Sequence, residues 1–299
     1  MVLPSRLLFW APALIWGSTW HVILYQIDQV PAAVAVVWRF LLAALLMFAV
    51  LAWRRERFAL APRWHAALAL TGALQYGLNY LCVYEAERHV PSGLVAVLYS
   101  LMVFGNALGG WLAFRQRVER HFLAGGALGV LGVVLVFWPE VAAAGARPDG
   151  PLGLACGLGG VLAACIGNAC TLALTRRGLS LIPVLAWSMA YGAAILLAAA
   201  IARGLPLAPG ATGSWWLSLV YLAAFGSVAA FLLYFKLGQR RGPAVAALTA
   251  IVTPPVALLL SALFEGWRVT PAALAGVGLA LAGVYLATRA PRATPLNRT

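Results

Sequence analysis

Acidic side chains are scarce in this sequence. Eight Asp and Glu stand against 21 Lys and Arg, and charged residues of both signs make only 10% of the chain. A water-soluble domain carries about a quarter charged residues, so a soluble fold is excluded. No acidic residue falls deep in an apolar run: Asp28, Glu85, Glu87, Glu140, Asp149 and Glu265 fall at one set of run ends, Glu56 and Glu119 at the other. Histidine and cysteine are also few, four each. Cys82, Cys156, Cys165 and Cys170 all lie in apolar stretches with no C-x-x-C pair and no nearby His, so they read as buried thiols filling space rather than as metal ligands or disulfides. Of the histidines, His89 and His121 fall on opposite sides and His65 at a helix end. No nucleophile, metal or acid/base cluster forms, so no enzyme and no cofactor are expected.

What the chain has is apolar length. Hydrophobic residues make 63% of it. A helix needs about 20 apolar residues to cross the hydrocarbon core, and ten such runs follow one another near 7–26, 32–53, 64–84, 91–114, 121–138, 151–174, 182–202, 214–236, 243–264 and 271–289. The links are too short for a soluble domain. The first run follows Arg6 and has the look of a signal peptide, but no A-x-A site follows, so it reads as a retained first helix. The net charge of +13 sits in short clusters between runs rather than in a basic domain, so nucleic acid is not an expected partner. The lipid bilayer is. With the N-terminus in the cytoplasm, sixteen Lys and Arg fall on inner segments and four (Arg88, Arg147, Arg203, Arg268) on outer ones. That bias predicts cytoplasmic N- and C-termini.

The two halves register at an offset of 152. Pro31 falls on Pro183, Trp64 on Trp216 and Pro91 on Pro243. In the fifth and tenth runs the offset is 151: Arg117-Val118 falls on Arg268-Val269, Gly125 on Gly276, Gly132 on Gly283. Five spans per half is an odd number, so the second half enters the membrane from the opposite side. The loops agree: acidic "EAERHVP" (85–91) is outside and its basic counterpart "LGQRRGP" (237–243) is inside. The expected fold is therefore an all-α membrane protein of ten transmembrane helices in a 5+5 inverted repeat, with repeats over 1–145 and 146–299. Inverted repeats exchange conformations to open a midplane site to either side in turn, which predicts secondary transport of a small molecule.

Interior polar residues are the candidates for that site. Arg39 stands about 10 Å into the second run at 1.5 Å per residue, where an arginine costs roughly 2.5–3.5 kcal/mol to insert. It either ties helices together or lines a wet cavity that attracts an anion. In the third run Gln75 and Asn79, and Tyr76 and Tyr80, are four apart and share a helix face. Tyr99 and Asn106 share a face of the fourth. Asn168 lies in the sixth. Trp187 and Tyr191 are four apart in the seventh, and Tyr191 falls on Arg39 in the repeat. Trp16, Trp20 and His21 line the first; His21 is a proton acceptor or a satisfied interior histidine. Trp16, His21, Arg39, Gln75, Tyr76, Asn79, Tyr80, Tyr99, Asn106, Asn168, Trp187 and Tyr191 are the expected substrate-binding set. Gly105/Gly109, Gly125/Gly129 and Gly153/Gly157 are read as close internal packing, and the protein as a monomer. Pro12 and Pro254-Pro255 are expected to kink their helices.

Several stretches resemble the EamA family of the drug/metabolite transporter superfamily: "LIWGSTW" (14–20), "PAAVAVVWRF" (31–40), and Pro254 followed by Glu265 in "AIVTPPVALLLSALFEGWRV" (250–269). In the fourth run the family's proline is absent, with Met102 or Val103 in its place. The resemblance covers about 7–289. It implies a bacterial inner-membrane exporter of amino acids or other metabolites, one branch of relatives exporting aromatic amino acids. Small multidrug exporters rely on a first-helix glutamate that this chain lacks, so a hydrophobic-cation pump is not expected. The remaining alternatives are a sugar-phosphate or nucleotide-sugar exchanger, which should need more interior cations, and a structural or sensor membrane protein.

Overall fold

The computed structural model describes residues 4–27, 29–90, 92–116, 118–144, 148–264 and 270–288. Asp28, Pro91, Arg117, Arg147, Glu265, Arg268 and Val269, all singled out above, lie outside them. Hydrocarbon offers no partner to a backbone N–H or C=O, so apolar spans satisfy those groups as helices. Ten spans result: α1 (Ser5–Ile27), α2 (Ala32–Trp53), α3 (Pro62–His89), α4 (Ser92–Ser100 and Met102–Phe114), α5 (Arg120–Val136), α6 (Gly150–Arg176), α7 (Leu181–Ala202), α8 (Gly213–Arg241), α9 (Pro243–Ala247 and Thr249–Phe264) and α10 (Pro271–Thr288). Among the described residues nine are long and apolar enough to cross a membrane, and α5 is a shorter apolar helix. Many leucines point outward, Leu112, Leu217 and Leu263 among them, as lipid-facing side chains do.

The two-fold relation is visible in what packs on what. α2 packs on α7 and α5 on α10; α1–α8 mirrors α6–α3; α1–α9 mirrors α6–α4; α2–α8 mirrors α7–α3. Exchanging the repeats maps each contact on itself or on its mate, as an axis in the membrane plane requires.

Local irregularities repeat too. α3 widens to a π-helix at Ala73–Leu78 and α8 at Leu222–Ala229, overlapping positions under the repeat offset. α4 is interrupted at Leu101 and α9 at Leu248, each where a residue folds back on the carbonyl three before it: Leu101 N to Leu98 O at 3.0 Å, Leu248 N to Val245 O at 3.3 Å. Ser100 Oγ and Thr249 Oγ1 add bonds to Val97 O and Ala246 O. The interruptions therefore follow hydroxyls rather than prolines. α4 breaks without a proline, and the helix runs through Pro12 and through Pro254-Pro255.

α5 and α10 cross at their glycines. A Cβ on Gly125 would stand 2.5 Å from Gly283 O, and one on Gly132 2.6 Å from Gly276 O. Gly105 faces Cys165 and Gly153 faces Val90. All three small-residue pairs meet helices of this same chain.

Candidate functional site: a central cavity

Six helices, α1, α3 and α4 with their repeat mates α6, α8 and α9, enclose a central cavity of about 90 Å³. That volume holds a few water molecules. Trp16, Thr19 and Trp20 come from α1; Gln75, Asn79 and Tyr80 from α3; Tyr99 from α4; Asn168 from α6; Phe231 and Tyr234 from α8; Thr249, Thr253 and Pro254 from α9. Among the described residues, no Lys or Arg lines this wall. Trp16 and Asn168 are equivalent under the offset of 152, as are Asn79 and Phe231, so each repeat supplies one amide and one aromatic ring at matched positions.

The wall is held by its own hydrogen bonds. Tyr99 Oη donates to Asn79 Oδ1 at 2.5 Å, and Asn79 Nδ2 donates to Gln75 O at 3.1 Å. Asn168 Nδ2 lies 3.2 Å from both Tyr234 Oη and Asn106 Oδ1. Trp16 Nε1 donates to Gly226 O at 3.0 Å; Gly226 lies in the π-helical turn of α8, where carbonyls leave their usual partners. Three wall residues keep a buried polar atom with no partner: Trp20 Nε1, Gln75 Oε1 and Asn168 Oδ1. Such orphans are costly in an apolar interior and mark a place for a ligand or water.

Six of the twelve sequence-predicted residues line this cavity: Trp16, Gln75, Asn79, Tyr80, Tyr99 and Asn168. Asn106 stands behind Asn168. Tyr76 is fully buried and packs on Phe40 and Phe231. His21 lies near Tyr25 Oη, 3.4 Å away, in an exposed pair. Arg39 is also off the wall. It is wholly buried, its guanidinium 4.4 Å from the ring centre of Tyr80, and its Nε donates to Ser227 Oγ at 3.0 Å. Gly226 makes room for it: a Cβ there would stand 3.2 Å from Nη2. Trp187 and Tyr191 belong to another cluster, toward the ends of α2 and α3. Trp187 Nε1 donates to Phe58 O at 2.8 Å, and Tyr191 Oη lies 2.7 Å from His65 Nδ1.

The sequence reading missed Thr19, Phe231, Tyr234, Thr249 and Thr253 on the wall. The repeat offset signals Phe231, the mate of Asn79; the threonines carry no signal, because a hydroxyl bonded to its own helix backbone is tolerated on any face. It also placed Glu87 simply at an outer run end. Both Glu87 oxygens are buried and unpartnered, as are Arg39 Nη1 and Nη2 and Gln26 Nε2; Tyr84 Oη donates to Gln26 Oε1 at 2.9 Å.

A ten-helix inverted repeat closed around a central cavity, largely apolar with a few amide and hydroxyl groups on its wall, is the architecture of a secondary transporter. Residues 4–138 and 152–289 each match the EamA-like transporter family, and the chain belongs to that family. It is 28% identical to "Uncharacterized inner membrane transporter YedA" of Escherichia coli over 92% of this chain and 87% of that one. It is 26% identical to "Protein PecM" of Dickeya dadantii over 90% and 86%, and 22% identical to "Protein PagO" of Salmonella typhimurium over 94% and 91%. A protein of known crystal structure shares the fold with a TM-score of 0.78 at 17% identity, covering 95% of this chain and 96% of that one. The protein is thus a multi-pass membrane transporter of small molecules.

Proposed function

We propose that this transporter exports a small zwitterionic or neutral metabolite, with amino acids the favoured class, across the bacterial inner membrane. The observation that carries the reading is the set of orphan polar atoms held buried by residues that line the cavity. Gln75 Oε1 and Asn168 Oδ1 are acceptors that an ammonium satisfies, and Trp20 Nε1 is a donor that a carboxylate satisfies. Trp16, Tyr80, Tyr99, Phe231 and Tyr234 surround them with aromatic surface for a side chain. A wall without Lys or Arg weighs against a phosphorylated cargo. Arg39 then acts at one remove, by holding the Tyr80 ring. The cavity is smaller than an amino acid's usual site, so loading requires the two repeats to move apart, as alternating access does. The repeats divide near residue 145, the working unit is one chain, and both termini face the cytoplasm, an orientation supported by the arginine bias.

The test is uptake into proteoliposomes of a labelled panel of neutral, aromatic and acidic amino acids, with sugar phosphates as the contrasting class. Saturable amino-acid uptake, with KM raised about tenfold in Asn168→Ala and Gln75→Ala, is expected from the loss of a charge-assisted bond. Sugar-phosphate uptake, or amino-acid uptake indifferent to both substitutions, overturns the reading.

A further inference from the structure

A second cleft, of about 610 Å³, opens where the α2–α3 loop of the first repeat meets the α6–α7 loop of the second. Arg55, Arg57, Arg63 and Arg177 line it, all exposed, with Trp64 beside them and Glu56 the one acidic residue on its wall. Glu56 is already bonded to Arg54, Oε1 to Nε at 2.8 Å. Among the described residues no carboxylate lies within ion-pair distance of the other four. Arg63 and Arg177, from different repeats, both approach the Trp64 ring, at 5.1 and 6.0 Å from its centre.

The fixed geometry of its wall sets this cleft apart from a general excess of basic residues at one membrane face. The loop that forms it is anchored: Trp187 Nε1 bonds Phe58 O, His65 Nε2 lies 3.2 Å from Leu60 O, and Phe58 stacks on Phe48. The arginines are therefore carried on a fixed wall. Arg55, at φ 54°, ends α2 in the left-handed conformation common at helix C-termini, its N–H bonded to Ala52 O and that of Glu56 to Leu51 O. Four exposed guanidinium groups on one cleft wall, none within ion-pair distance of a carboxylate among the described residues, match the oxygens of a phosphate.

We infer that this cleft binds a phosphate-bearing anion, either the headgroup of an anionic phospholipid or a free phosphate, and so joins the two repeats at this face. The inference does not depend on the cargo of the central cavity, and its test requires no transport. Purified protein in neutral detergent is titrated with dioctanoyl phosphatidylglycerol in one arm and inorganic pyrophosphate in the other, with binding read by native mass spectrometry. Saturable binding is expected in at least one arm: phosphatidylglycerol alone identifies a lipid site, and pyrophosphate binding identifies a site for free anions. Affinity should fall about tenfold in the Arg63→Ala/Arg177→Ala double variant. Arg55→Gly should also bind more weakly while melting no lower than wild type, which separates loss of the ligand from loss of the fold. Arg241→Ala, at the end of α8 and away from the cleft, should bind as wild type. Absence of saturable binding in both arms overturns the inference, and so does equal weakening by Arg241→Ala.

Discussion

At the scale of single residues, the buried arginine is a tie between repeats. Arg39 on α2 bonds Ser227 on α8; its repeat mate Tyr191 on α7 bonds His65 on α3. The two bonds join symmetry-related helix pairs with different chemistry. Ser227→Ala leaves Nε of a buried cation without its acceptor, so it should destabilise by about 1.5–3 kcal/mol, read as a lower melting temperature in detergent. Arg39→Lys should lose at least as much, since an ammonium has neither the Nε donor nor the planar face laid on Tyr80. On the cavity wall, Trp20→Phe keeps the ring and deletes the orphan donor. KM for a carboxylate-bearing substrate should rise roughly fivefold, the worth of about one hydrogen bond, with little change for the corresponding amine lacking the carboxylate.

At the scale of elements, α5 and α10 depend on having no side chain where they cross. Any Cβ at Gly125 or Gly132 meets backbone that cannot move aside alone. Gly125→Leu or Gly132→Leu should cost about 1–3 kcal/mol or more by forcing the helices apart, seen as loss of monodisperse protein or a lowered melting temperature. Leu131, exposed on the same helix, is the control: Leu131→Ala should be silent. The paired π-helical turns of α3 and α8 are the second element-scale device. They carry Gln75 to the cavity and offer Gly226 O to Trp16, which couples the shape of α8 to a residue of α1. Trp16→Phe breaks that coupling and should lower uptake more than it lowers stability.

At the scale of the molecule, the inverted repeat predicts two accessible states. In a background without the four native cysteines, Ser180→Cys and Leu207→Cys mark the two faces through the α6–α7 and α7–α8 loops. An impermeant thiol reagent added outside whole cells should label Leu207→Cys and not Ser180→Cys; the reverse pattern overturns the proposed orientation.

Much of this was legible in the sequence, and for a physical reason. Hydrocarbon demands long apolar helices and penalises charge, so span number, the repeat and the asymmetry of loop arginines are all written as composition along one dimension. The meeting of Gly125 and Gly132 with Gly283 and Gly276 was foreshadowed by their shared register. What the sequence left open was which polar residues face one another. Arg39 and Asn168 look alike as polar residues in apolar runs, yet one is behind the wall and the other on it. That distinction depends on helix rotation and on which six of ten helices enclose the cavity. Trp187 and Tyr191, read as cavity residues from spacing and from the repeat register of Tyr191, hold a loop because α7 packs on α2 and α3 instead of around the centre. Periodicity defines a face on each helix, but only the packing of one helix against another determines what that face meets.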